Sequence, residues 1–176
     1  MKAGRRRLLG MLLLCGLTLA SACGDHSPTA PQPAPPSADL IGSLLGATGL
    51  LKCSNLPYAS TTQTIGIGGG IVSAGPHRLV IPPGALSQPT TITMIVPTGL
   101  GVNAVKFQPE GLQFQKSAAL TMSYANCSLL GKLLPKRIAY TTDGLQILYY
   151  LLSLDNLFSK YVTGKVNHFS SYVIAW

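Results

Sequence analysis

Residues 90–96 read Thr-Thr-Ile-Thr-Met-Ile-Val, and six of the seven positions are β-branched, with Met94 the exception. Branching at Cβ restricts χ1 and suits a pleated, half-buried surface, so this stretch is a strand. Its surroundings have the same character. Upstream lie 64–73, interrupted by Gly66, Gly68, Gly69 and Gly70, and 78–81, which ends at the turn Pro82-Pro83-Gly84. Downstream follow 102–108, 118–124, 137–142, 146–152, 160–166 and 170–176, separated by Gly, Pro, Ser and Asn. About eight or nine short strands at this spacing predict an all-β domain over 61–176, an antiparallel β-sandwich or a barrel-like sheet. No segment competes as a long amphipathic helix. Leu148 to Leu152 is apolar without a break, the pattern of a strand buried on both faces or passing between sheets.

Charge narrows the function classes. The chain carries 13 Lys and Arg against 5 Asp and Glu, a formal +8. Lys2, Arg5, Arg6 and Arg7 supply four of those cations, so nine cations and five acids, a balance of +4, follow Ala22. The nine are dispersed, with no run able to track a phosphate backbone, which argues against a nucleic-acid partner. The acids Asp25, Asp39, Glu110, Asp143 and Asp155 are too few for much paired-carboxylate or carboxylate-ligated metal chemistry. His26, His77 and His168 are too far apart for a local metal motif. The glycines at 66–70 lack the Gly-Lys-Ser/Thr and the following helix of a phosphate loop, so they read as a turn or bulge. No cofactor and no metal are expected.

The N-terminal part is of another kind. Arg5 to Arg7 precede an apolar run from Leu8 to Ala20, and Ser21 and Ala22 follow, so 1–22 has the three regions of an export signal. The run is too short for the helix of about 20 residues that crosses a bilayer core. Residues 23–38 read as a tether, with five prolines within 27–38; such a segment favours extended polyproline II at about 3.1 Å per residue. In 39–60, a docking segment, Leu40, Ile41, Leu44 and Leu45 have helical spacing. Gly42, Gly46 and Gly49 each weaken a helix by up to about 1 kcal/mol, so a helical turn and a loop packed on the domain both remain open.

Leu19-Ala20-Ser21-Ala22-Cys23 resembles the lipobox of bacterial lipoproteins. The resemblance implies that the Cys23 thiol is acylated and becomes the mature N-terminus, anchored in a membrane outside the cytoplasm, since two or more acyl chains hold stably where one does not. The alternative is an ordinary signal cut near Ala22. Export leaves Cys53 and Cys127 in an oxidising compartment, which predicts one disulfide. It would close a loop of about 75 residues, for which the chain-entropy model gives roughly 4.5 kcal/mol. Two free buried thiols are the alternative.

Gly68 to Met94 (GGGIVSAGPHRLVIPPGALSQPTTITM) and Val105 to Tyr124 (VKFQPEGLQFQKSAALTMSY) resemble the ZU-five domain of ankyrins, netrin receptors and tight-junction scaffolds, also present in many bacterial lipoproteins. The turn Ile81 to Leu86 and the element Pro109 to Phe114 carry most of the likeness, which spans roughly 65–175. It implies a β-domain used for protein interaction or intramolecular docking.

His168-Phe169-Ser170 is similar to the self-cleavage motif of some ZU-five proteins. The resemblance implies His168 as base and Ser170 Oγ as nucleophile on the Phe169 carbonyl, an N-to-O acyl shift and ester hydrolysis. The plainer reading puts Phe169 in the core and the two polar side chains on a closing strand. The expectation is a non-enzymatic module, lipid-anchored at Cys23 in the cell envelope, whose partner is an envelope protein or structural element. The alternatives are a self-cleaving domain and a carbohydrate-binding module whose partner is a glycan.

Overall fold

The computed structural model describes residues 48–129 and 134–176. The export signal, Cys23, the Pro-rich tether and the first part of the docking segment lie outside the described residues. Eleven strands are formed: β1 (Ala59–Ile65), β2 (Gly70–Ala74), β3 (His77–Ile81), β4 (Thr90–Val96), β5 (Ala104–Gln108), β6 (Gln113–Ser123), β7 (Arg137–Thr141), β8 (Ile147–Tyr150), β9 (Ser153–Asn156), β10 (Tyr161–His168) and β11 (Ser171–Ala175). They make two antiparallel sheets, one of order β1-β4-β5-β11-β7-β8 and one of order β2-β3-β6-β10-β9. Neither closes into a barrel, so the fold is a β-sandwich.

Alternation builds the core between the sheets. β4 sends Ile92, Met94 and Val96 inward, β6 sends Ala118, Leu120 and Met122, and β10 sends Val162 and Val166. On the outer side of β4, Thr91 and Thr93 face Thr64 and Thr62 of β1 and share hydroxyl hydrogen bonds at 3.0 and 2.9 Å. β11 is buried on both faces: Tyr172 and Ile174 enter the main core, while Val173 and Ala175 pack with Leu50, Val102, Ala104 and Ala139 in a second, smaller cluster.

Several expectations are corrected. The stretch 64–73 is the end of β1, a turn and then β2; Gly69 N–H closes the turn on the Gly66 carbonyl at 3.1 Å. Gly69 has φ +76°, and a Cβ there would meet the Ile81 carbonyl at 2.3 Å, so only glycine fits. Of the two readings of the run 148–152, passage between the sheets holds and burial on both faces does not. Tyr149 is 68% and Leu152 76% exposed, and only Leu151 enters the core, because β8 is an edge strand and the chain then changes sheets. β1 starts at Ala59, two residues before the expected start of the β-domain, and the described part of the docking segment packs on it as a loop: Leu50 bridges to Ala175 and Leu51 is buried in the main core.

Cys53 and Cys127 face each other in an isolated bridge, with their sulfurs 1.98 Å apart, in the geometry of a disulfide. Tyr124 beside them is fully buried, its hydroxyl donating to Asp155 Oδ1 at 2.6 Å.

His77 is the core's one titratable imidazole, 1% exposed among the described residues. The Ser123 N–H donates to its Nδ1 at 3.1 Å, so the neutral ring carries its proton on Nε2, which has no partner. Protonating Nδ1 would set two donors against each other, and burial already pushes the imidazole down from 6.5 to about 4. The unfolded chain therefore binds the extra proton first, and stability falls as pH drops from about 6.5 to about 4, by about 3 kcal/mol in full. Urea midpoints across that range should decline in wild type and lose much of this slope in His77→Leu. An unchanged slope in the variant would assign the acid sensitivity to other groups.

Candidate functional site

His168, Phe169 and Ser170 form the corner where the chain leaves β10 in one sheet and enters β11 in the other. A bulge prepares the corner: Val166 pairs with Ala118 but His168 pairs with Gln113, so the ladder slips around Asn167. The corner's backbone is well bonded. Phe169 N–H donates to the Leu112 carbonyl at 2.8 Å, Gly111 N–H donates to the Phe169 carbonyl at 3.0 Å, and Phe107 N–H donates to the Ser170 carbonyl at 3.2 Å. The Tyr172 hydroxyl donates to the His168 carbonyl at 2.6 Å, a tie of the tyrosine-corner kind found in β-sandwiches. Burial above all, with Tyr140 nearby, pushes the Tyr172 phenol well above its ordinary value, so it stays a donor.

The Phe169 side chain is fully buried. Its ring stacks on Phe107 with centroids 4.8 Å apart and meets Phe114 edge-on at 5.0 Å. The residue on which the cleavage motif centres is thus a packing element shared by both sheets.

The two polar residues of the motif diverge. His168 lines a cleft of about 240 Å³ with Ser117, Tyr140, Tyr149, Lys165 and Asn167, and its ring lies edge-on to Tyr140 at 5.0 Å. This cleft has a topological cause: β9 is four residues long and pairs with β10 only from Tyr161 to Gly164. The last residues of β10 therefore have no strand partner on that side. Ser170 lines a separate cleft of about 500 Å³ with Thr91, Thr93, Lys106, Glu110 and Asp143. There the Lys106 ammonium lies 2.7 Å from Asp143 Oδ1, and its hydrogen bond and charge hold the exposed Asp143 carboxyl below the usual range.

Of the residues singled out from sequence, Cys53 and Cys127 are brought together, His168 and Ser170 are placed in different clefts, and Cys23 lies outside the described residues. No hydrogen bond joins His168 to Ser170 among the described residues. Chemically, the Phe169 carbonyl has a polarising donor in Gly111 N–H, but a nucleophile needs its base within hydrogen-bond reach. Tyr140, Lys106 and Asp143, which complete the clefts, were missed from sequence because they come from β5, β7 and the turn after β7, joined only by long-range pairing. No protein-family model matches the chain, and no curated protein matches it.

Proposed function

We propose that the chain is a bacterial lipoprotein: a ZU-five-like β-sandwich, held by acyl chains on Cys23 at a membrane face outside the cytoplasm, that serves as a non-enzymatic interaction or envelope-structural module. One observation carries the non-enzymatic part. The peptide that self-cleavage would cut is built into the core through Phe169, while its candidate base and nucleophile line separate clefts. The export signature at 1–23 and the Cys53–Cys127 pairing geometry support the extracytoplasmic part. Self-cleavage retains one favourable feature, the Gly111 N–H on the Phe169 carbonyl. Of the exposed aromatics only Phe158 and Tyr161 share a segment, while Tyr58 precedes β1 and Tyr149 lies on β8, so no three of them share one segment, which favours a protein or structural partner over a glycan.

Intact mass of the purified full-length protein, with metabolic labelling by a fatty-acid analogue, tests these parts together. The expected species carries label, loses it in Cys23→Ala, and is uncut between Phe169 and Ser170 after long incubation. Label kept by the Cys23→Ala variant sinks the anchor. A cut that Ser170→Ala abolishes sinks the non-enzymatic reading.

A further inference from the structure

The turn from β9 to β10 carries Leu157, Phe158 and Lys160, and Phe158 is fully exposed. Register extends the apolar surface inward from that tip. Leu154 sits opposite Thr163, and Tyr161 opposite Asn156, on the outer face of the sheet, while Val162 between them points into the core. Leu154 is 79% exposed. The hairpin's acid, Asp155, points the other way and is occupied, accepting from the Tyr124 hydroxyl and from Lys136 N–H. A cluster of exposed large apolar side chains, Phe158 the most exposed of them, with a lysine and no acid on its face, marks a contact surface.

Charge and chain direction identify what it contacts. Of the three acids among the described residues, Glu110 and Asp143 line the Ser170 cleft, at the start of β11. The tip belongs to the opposite end of the sandwich. Trp176 N–H donates to the Gly49 carbonyl, Ala175 pairs with Arg137, Lys136 N–H reaches Asp155, and Tyr124 N–H donates to the Lys160 carbonyl. That end exposes Lys52, Arg137 and Lys160. It is also where the chain leading back to Cys23 joins the domain, just before Leu50.

We propose that this end is a membrane-contact face, with Leu157 and Phe158 entering the headgroup region of an anionic bilayer while Lys160, Arg137 and Lys52 meet its phosphates. The inference rests on the membrane-anchored reading and adds an orientation to it. Exposed apolar side chains beside cations bind such surfaces through buried area plus charge attraction, and the charge part weakens with salt.

The test places a fluorophore at the fully exposed position. Full-length Phe158→Trp is combined by detergent removal with vesicles containing phosphatidylglycerol at a lipid excess, and the vesicle-bound fraction is isolated by flotation; absence of any bound fraction also overturns the proposal. Wild type, with Trp176 alone, supplies the background to subtract. The added emission should shift to the blue, and lipids brominated on their acyl chains should quench about half of it, as the shallow burial of an interfacial side chain implies. Lys160→Glu should reduce both effects, as should replacing phosphatidylglycerol by phosphatidylcholine. Solvent-like, unquenched emission from vesicle-bound protein overturns the proposal. So does a concentration-dependent blue shift without vesicles, which would assign the face to a second copy of the chain. Acylation of Cys23 is read separately by its label, so failure of the anchor and failure of the face are distinguishable.

Discussion

Phe169→Ala should destabilise the domain by about 3–5 kcal/mol, the range for removing a buried aromatic ring. The ring is fully buried, stacked on Phe107 and edge-on to Phe114, at the point where the chain crosses between sheets. Neighbours on both sheets would have to move to fill the space, and the two ring pairs would be lost with the buried area. Against a typical domain stability of about 5–15 kcal/mol this is a large fraction, and melting should fall on the order of 10–20 °C. The control lies one residue on. Ser170 is largely buried, but its hydroxyl makes no hydrogen bond among the described residues and borders a cleft, so Ser170→Ala, which removes one oxygen and leaves no partner unpaired, should change stability by no more than about 1 kcal/mol. Thermal and urea unfolding of both variants separate the packing reading from the chemical one. Equal destabilisation by the two substitutions, or indifference to Phe169→Ala, would remove the claim that the motif is kept together by packing.

How far these features are legible in the sequence depends on whether local chemistry or long-range pairing decides them. TTITMIV is a strand at its expected boundaries, because six β-branched side chains leave few alternatives and three of the seven residues fill the core. The stretches 137–142 and 170–176 are strands within one residue of their expected ends, β7 (Arg137–Thr141) and β11 (Ser171–Ala175). β9 was not: Ser153-Leu154-Asp155-Asn156 has one apolar residue and a poor strand composition, and it is a strand because β10 offers an edge to pair with. The run at 148–152 passes between sheets, as one of its two readings had it, but its burial was not legible, for the opposite reason. Its apolar character is strong, but the edge it occupies has no covering layer among the described residues, so continuous hydrophobicity marks surface and not core there. The motif His168-Phe169-Ser170 was legible as a motif, yet the divergence of its polar side chains follows from a change of sheet within three residues. No local pattern encodes that.

Replacing Cys53 and Cys127 together by alanine should lower stability by about 4 kcal/mol, within the 2–5 kcal/mol usual for a native disulfide in a small exported domain. The reason is in the unfolded chain more than in the fold. The two positions are 74 residues apart in sequence, and the tie holds every strand from β1 to β6 within one closed loop. The folded state keeps other links at that place: Ser54 N–H donates to the Asn126 carbonyl, Ser128 N–H to the Lys52 carbonyl and Cys53 N–H to the Gly101 carbonyl. The doubly substituted domain should therefore still fold, with β4 and β6 in the same register, while its unfolded ensemble gains the freedom the loop had removed. Two consequences separate this from simple damage to the core. The denaturant m-value should rise, since the unlinked unfolded chain exposes more surface. A reductant should lower the wild-type midpoint to that of the variant and leave the variant unchanged. Coincident midpoints without reductant, together with two alkylatable thiols in the protein taken from its own envelope, would show that the pair stays reduced; the stability of the domain would then rest on the β-sandwich core alone.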